Sequence, residues 1–166
     1  AAGLESKKRA DMLVKYVDAL LELYPACKAV VFGPSRKFLS RESIENHPDK
    51  DVTRFIYYAV NVRYFSIQGT DDMMVDSLGM STLFLPDLQY HFHGMNPDEI
   101  VNHAYSVLYY IFEHDNPIDD GQTIAGLENG DMNPDIKWKV QYEDSLIQPV
   151  RTVIDINMGE YASGTR

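Results

Sequence analysis

The chain has 166 residues, 45% hydrophobic and 24% charged, with a formal net charge of -10. That balance is globular and fits a single domain over 1–166 with its own core. One cysteine, Cys27, excludes a disulfide framework or a multi-cysteine zinc site; no apolar run approaches a membrane span; and the negative charge argues against nucleic acid or a membrane as partner, so an intracellular, cytoplasmic protein is expected.

In chain order, Ser6 to Tyr24 carries Ala10, Leu13, Val14, Val17, Leu20, Leu21 and Tyr24 at helical spacing, with Ser6 as the candidate cap and Pro25 as the stop. Lys28 to Phe32 is short and β-branched and predicts a buried strand. Ser40 can cap a short helix ending before Pro48. Phe55 to Ile67 is aromatic, β-branched and long, and predicts a strand that pairs with Met73 to Leu78 across the turn at Gly69 to Asp72. After a tight connector from Gly79 to Leu85, Asp87 to His93 alternates Leu88, Tyr90 and Phe92 with Gln89, His91 and His93. Asn96-Pro97-Asp98-Glu99 has the residues of a helix start, and the helix continues to about His114 with a wide apolar face. Asp115 to Asp135 is turn-rich, with one short strand around Thr123 to Ala125. Ile136 to Tyr142 and Val150 to Ile156 are the last strands. The order predicts an α+β fold: a largely antiparallel or mixed sheet with two main helices, 6–24 and 97–114, packed on it.

Charge is distributed unevenly. The first 63 residues carry +3, residues 137–166 carry zero, and residues 64–136 carry -13 with no Lys or Arg at all. That stretch also holds His91, His93, His103 and His114. It predicts either solvated acid facing bases from the rest of the chain, or a local field that holds a metal ion or a basic partner.

The segments SIQGTDDMMVDSLGMSTLFLPDLQYHFHG, VNHAYSVLYYIFEHDNPI, WKVQYEDSLIQPVR and GEYASG resemble the bacterial domain of unknown function 4261 family. In longer members of that family the stretch resembling AAGLESKKRA lies inside the protein, after another α/β portion. The resemblance therefore implies that this chain is the C-terminal part of a larger protein. It implies no assigned activity and supplies no catalytic or binding residues.

Three residue groups are candidate sites. His91 and His93 share a strand face, and Glu99 and His103 share a helix face. Together, with Asp98 or Glu99 as the carboxylate, His91, His93 and His103 have the ligand types of a zinc site. The stretches 131–135 and 115–121 imitate the start of a calcium loop but lack its glycine and glutamate, and predict Asx turns. Glu143 and Asp144 form a carboxylate pair with Arg151 as the expected salt partner. Cys27 is expected as a small core residue. There is no phosphate-binding glycine loop.

Eleven tyrosines fall largely on predicted strands and helices, the raw material of an interface. The residues therefore favour a non-catalytic interaction or regulatory module with an acidic, aromatic surface and no cofactor. The alternative is a metal-dependent hydrolase using zinc or another divalent cation at His91, His93 and His103. Expected partners are the missing N-terminal portion of the same chain, a second copy in a homodimer, and a basic protein that the module inhibits.

Overall fold

The computed structural model describes residues 5–49 and 51–164. They form two units: the described residues up to Asn61 with Leu78–Leu85, and Val62–Ser77 with the described residues from Pro86 onward. The fold class is α+β, built from a six-stranded mixed sheet, a two-stranded ribbon and four α-helices among the described residues.

In the first unit, α1 (Ser6–Leu23) buries Ala10, Val14, Val17 and Leu21 of the expected stripe, whereas Leu13 and Leu20 are half-buried and Tyr24, beyond the helix, is exposed. Ser6 is not its cap; Glu5 holds that place without a side-chain hydrogen bond. At the other end the Arg41 guanidinium reaches the Tyr24 and Pro25 carbonyls at 3.2 and 3.3 Å, a cation where the helix dipole favours one. Strands β1 (Ala29–Phe32) and β2 (Lys37–Ser40) form the antiparallel ribbon. The expectation of a buried first strand fails here: Val31 and Phe38 sit opposite each other and are about two-thirds exposed. A two-stranded ribbon buries at most one of its faces. Cys27 is half-buried, its thiol donating to the Ala29 carbonyl. Ser40 caps α2 (Arg41–Glu45) by accepting from the Ser43 amide, as expected.

The stretch 55–67 is not one strand. It divides into α3 (Arg54–Ala59) and β3 (Asn61–Ser66). Phe55, Ile56, Tyr58 and Ala59 are all buried, at positions i, i+1, i+3 and i+4, which a helix can turn inward and a strand cannot. α1 packs against α3, and Arg54 on α3 pairs with Asp18 on α1 at 2.8 Å. A 3₁₀ turn, Met80–Leu83, also meets α1. Gly79 enters it at φ 136°, and a Cβ there would run into the Ala59 carbonyl oxygen, so only glycine fits. Lys37 is half-buried beneath this cluster. Its ammonium donates to the Val60 carbonyl at 2.7 Å, lies 5.1 Å from the Tyr57 ring centre, and has its pKa lowered to about 8 by desolvation.

The second unit contains the large sheet, in the order β3-β4-β5-β8-β7-β6. β4 is Met73–Leu78, β5 Asp87–Phe92, β6 Thr123–Glu128, β7 Asp131–Asp144 and β8 Thr152–Asn157. All neighbours with a described register run antiparallel except β5 and β8. β7 begins earlier than the sequence predicted, because Glu128 and Asp131 close a hairpin over Asn129-Gly130, both with φ positive. α4 (Pro97–Glu113) starts as predicted, Asn96 accepting from the Asp98 amide. It buries Ile100, Ala104, Val107, Leu108, Ile111 and Phe112. Each of these side chains larger than alanine contributes about 1.5–3 kcal/mol before conformational entropy. No helix among the described residues is long and apolar enough to cross a membrane.

Candidate functional site

Strand β5 sets the chemistry of the second unit, because its alternate residues belong to different faces. Leu88, Tyr90 and Phe92 join Val140, Ile154 and Ile156 in the apolar layer. Asp87, Gln89 and His91 point the other way. The register carries polarity sideways: Asp76 on β4 lies beside Gln89, Gln89 beside Asp155 on β8, and Asp155 beside Gln141 on β7. Asp76, Asp87, Gln89 and Asp155 are each at most 2% exposed.

Two arginines complete this polar layer. Arg63 on β3 donates through Nε to Asp76 Oδ1 at 2.8 Å. Arg151, just before β8, donates through Nη2 to Asp76 Oδ2 at 2.8 Å and through Nε to Asp87 Oδ2 at 3.2 Å. Its Nη1 donates to the loop carbonyls of Ile147 and Pro149 at 3.2 and 2.9 Å. Ser77 Oγ donates to Asp87 Oδ1 at 3.0 Å. Gln89 binds three partners: Nε2 serves Glu143 Oε1 and Asp155 Oδ1, both at 3.1 Å, and Oε1 accepts from the Leu146 amide at 2.7 Å. These bonds fasten the 145–151 loop to the sheet. Arg151 is thus the salt partner of Asp76 and Asp87 rather than of Glu143 and Asp144, which corrects the sequence expectation. The acid-rich stretch is met at its two most buried aspartates by arginines from either side of it in sequence. A hydrogen-bonded network of this kind holds strands and loop in register. It offers no activated nucleophile, since each of these side chains is held by its neighbours.

The structure does not assemble the proposed metal site. His91 and His93 do come near one another around Ser163 and Asp72. Ser163 donates to Asp72 Oδ1 at 2.7 Å, His93 Nδ1 lies 3.1 Å from the same hydroxyl, and His91 Nε2 is 3.7 Å from Asp72 Oδ2. A serine whose proton is directed at a carboxylate is anchored rather than activated by either imidazole. His103 belongs to the other side of the sheet. Its Nε2 lies 2.9 Å from the Ala125 carbonyl, which can only accept, so Nε2 carries the proton and Nδ1 accepts from the Tyr90 hydroxyl at 2.9 Å. Burial lowers the His103 pKa, opposed by the bond to Ala125, and raises that of Tyr90 well above its usual value. Glu99 lies against Gly130 at the β6–β7 hairpin. No group of three or more His, Cys, Asp or Glu among the described residues is placed to hold a metal ion. In the calcium-like stretches, Asn133 forms an Asx turn with the Asp135 amide at 2.8 Å, while Asp115 and Asn116 are both left-handed.

Sequence reasoning missed the Asp76–Asp87–Gln89–Arg151 layer. Its signal was available: polar residues at alternate positions of strands whose other positions are large and apolar, with no turn residue to explain them.

The matched part of the chain covers four of the six strands of this sheet in full. Residues 76–157 match the family described as Domain of unknown function (DUF4261). That stretch is similar to DUF4261 domains. It includes α4 and β5 to β8, and every member of the buried polar layer named above except Arg63. Asp72 and Ser163 lie outside the DUF4261 match. Neither the curated proteins nor the solved structures contain a match to the chain.

Proposed function

We propose that the chain is a non-catalytic interaction module, and that it docks an apolar segment flanked by Lys or Arg. The observation that carries this reading is a groove of about 460 Å³ between α4 and the edge strand β6, lined by Val107, Tyr110, Ile124, Ala125 and Met132 among others. Tyr110 and Met132 are 48% and 47% exposed. In a concave apolar site an aromatic ring supplies contact area at low entropic cost, and a methionine adapts its shape to the partner. Every wall residue comes from the stretch 64–136, which has no Lys or Arg. Glu99, Glu128 and Asp131 gather at the hairpin end of the groove, and Glu113 lies one turn beyond Tyr110 at the other. Lys137 and Lys139 flank Trp138, whose side chain faces α4, so alternation turns both lysines to the opposite face. The field over the groove therefore favours a cationic partner.

The test is fluorescence anisotropy with three labelled twelve-residue peptides, each with a Leu/Phe centre and flanked by Lys, Ser or Glu. The Lys-flanked peptide should bind in the micromolar range, and at least tenfold more weakly at 500 mM than at 50 mM salt. Tyr110→Ala and Met132→Ala should each weaken it about tenfold. Failure of that peptide to bind, or equal binding of the Glu-flanked one, refutes the reading. Light scattering of the same samples would show whether a second copy occupies the groove instead, which also refutes it.

A further inference from the structure

Helix α1 carries two apolar stripes. The first, Ala10, Val14, Val17 and Leu21, is buried in the core of its own unit. The second, Met12, Tyr16, Ala19 and Leu23, is the first moved along by two residues, which is roughly 200° round a helix. It therefore faces away from that core, and Met12, Tyr16 and Leu23 are 62%, 65% and 72% exposed. Counted from Arg9, its spacing alternates between three and four, the repeat with which one helix packs along another. Phe84, directly after the 3₁₀ turn that meets α1, extends the patch. It is 73% exposed, and the Arg9 guanidinium lies 4.1 Å from its ring centre. A continuous run of this kind differs from the single apolar residues scattered over an ordinary surface.

We infer that this face is where two copies of the chain pair, with their α1 helices antiparallel about a two-fold axis. The charges beside the stripe select that occupant. Lys8, Lys15 and Glu22 stand seven residues apart and so share one flank of it. In a parallel pair the like-charged ends would lie together. In an antiparallel pair centred near Lys15, Lys8 of one copy stands level with Glu22 of the other, and symmetry supplies the same contact again. The same arrangement sets Met12 and Tyr16 of one helix against Tyr16 and Met12 of the other. It also brings Leu23 to the end where Arg9 and Phe84 lie. Lys8 now pairs with Glu5 at 3.5 Å, both side chains exposed, so little is lost when it turns. Lys15 meets its own copy near the axis, a repulsion that its bond to Asp11 at 2.7 Å offsets in part. α1 also lies outside the acid-rich stretch 64–136. Two such faces bury on the order of 1,000 Å² in total, the lower end for a specific interface, which sets a weak dimer with Kd about 10 µM. The face is independent of the groove beside β6, which belongs to the second unit.

The test is sedimentation velocity on the whole chain from about 2 to about 200 µM, a range that brackets that affinity. The wild type should pass from monomer to dimer across it. Tyr16→Glu, at an exposed helical position, should weaken the dimer at least tenfold while circular dichroism stays that of the wild type. Lys8→Glu and Glu22→Lys should each weaken it at least threefold, and the double variant should return to within twofold of the wild type, since the swap restores both contacts. Phe38→Ser, which removes exposed apolar surface elsewhere on the same unit, should leave it unchanged. A monomer throughout the range overturns the inference, as does a dimer indifferent to Tyr16→Glu or a double variant no tighter than the single ones. Tyr110→Ala should dimerise as the wild type does; if it separates the copies instead, the second copy sits in the groove and the assignment to α1 falls.

Discussion

Replacing Lys37 by Met tests the electrostatics of the first unit most directly. Lys37 is held under Tyr57 with its ammonium on the Val60 carbonyl, and desolvation brings its pKa from 10.5 to about 8. That displacement amounts to about 3 kcal/mol against the charged form in the folded chain. The folded value is the lower one, so the unfolded chain binds more protons between pH 8 and 10.5. Stability from this group is present above 10.5 and is lost as pH falls towards 8. Below pH 8 the folded protein bears the whole penalty. Lys37→Met removes the penalty, and also loses a hydrogen bond of about 1 kcal/mol and a cation–π contact of about 0.5–1 kcal/mol. At pH 7 the variant should therefore be more stable by about 1–2 kcal/mol. Urea unfolding followed by far-ultraviolet circular dichroism at pH 7, 8, 9 and 10 gives both curves. The wild type should gain on the variant by about 2–3 kcal/mol between pH 7 and 10, since that is the share of the shift expressed by pH 10. Curves that stay parallel within about 1 kcal/mol, on the scale of one net hydrogen bond, would show that the ammonium is well solvated and the reasoning wrong.

Two further outcomes follow from the second unit. Arg151→Met removes the cation shared by Asp76 and Asp87 and leaves two buried carboxylates short of a partner, so urea unfolding should show a loss of about 3–5 kcal/mol. His103 has a folded pKa below its unfolded 6.5, so its contribution is present above 6.5 and is lost as pH falls below it. Thermal melts from pH 7 to 5 should therefore drop more steeply for the wild type than for His103→Gln; equal slopes would mean that the imidazole is not held neutral.

What could be read from the sequence was whatever local chemistry alone decides. α4 carries its cap, its first-turn proline and acids, and an apolar stripe within one continuous stretch, and it forms as expected. α2 follows from Ser40 in the same way. The stretch 55–67 is dense in β-branched and aromatic residues, which points to a strand, but Phe55, Ile56, Tyr58 and Ala59 stand at helical spacing and that spacing prevails. The first strand departs from expectation for a different reason: burial depends on what lies over a ribbon, and no local pattern states that. In the metal hypothesis the parity argument for His91 and His93 was sound. It could not reveal that α4 packs on the opposite face, which takes His103 away. Arg151 meets Asp76 and Asp87 across 75 and 64 residues of chain, a meeting that topology decides and no local pattern states.

The hydrogen bond from His103 to Ala125 has a consequence for how the sheet ends. β6 is an outer strand, and an outer strand ordinarily presents backbone groups to which another chain can add itself. In this fold an edge carbonyl is engaged by a helix instead, immediately before the irregularity between Ala125 and Gly126 that breaks the even spacing of the ladder. A visiting strand would have to displace an imidazole that is itself bonded to a fully buried tyrosine. That border can accept side chains into the groove beside it while resisting the backbone-to-backbone growth that leads to fibres.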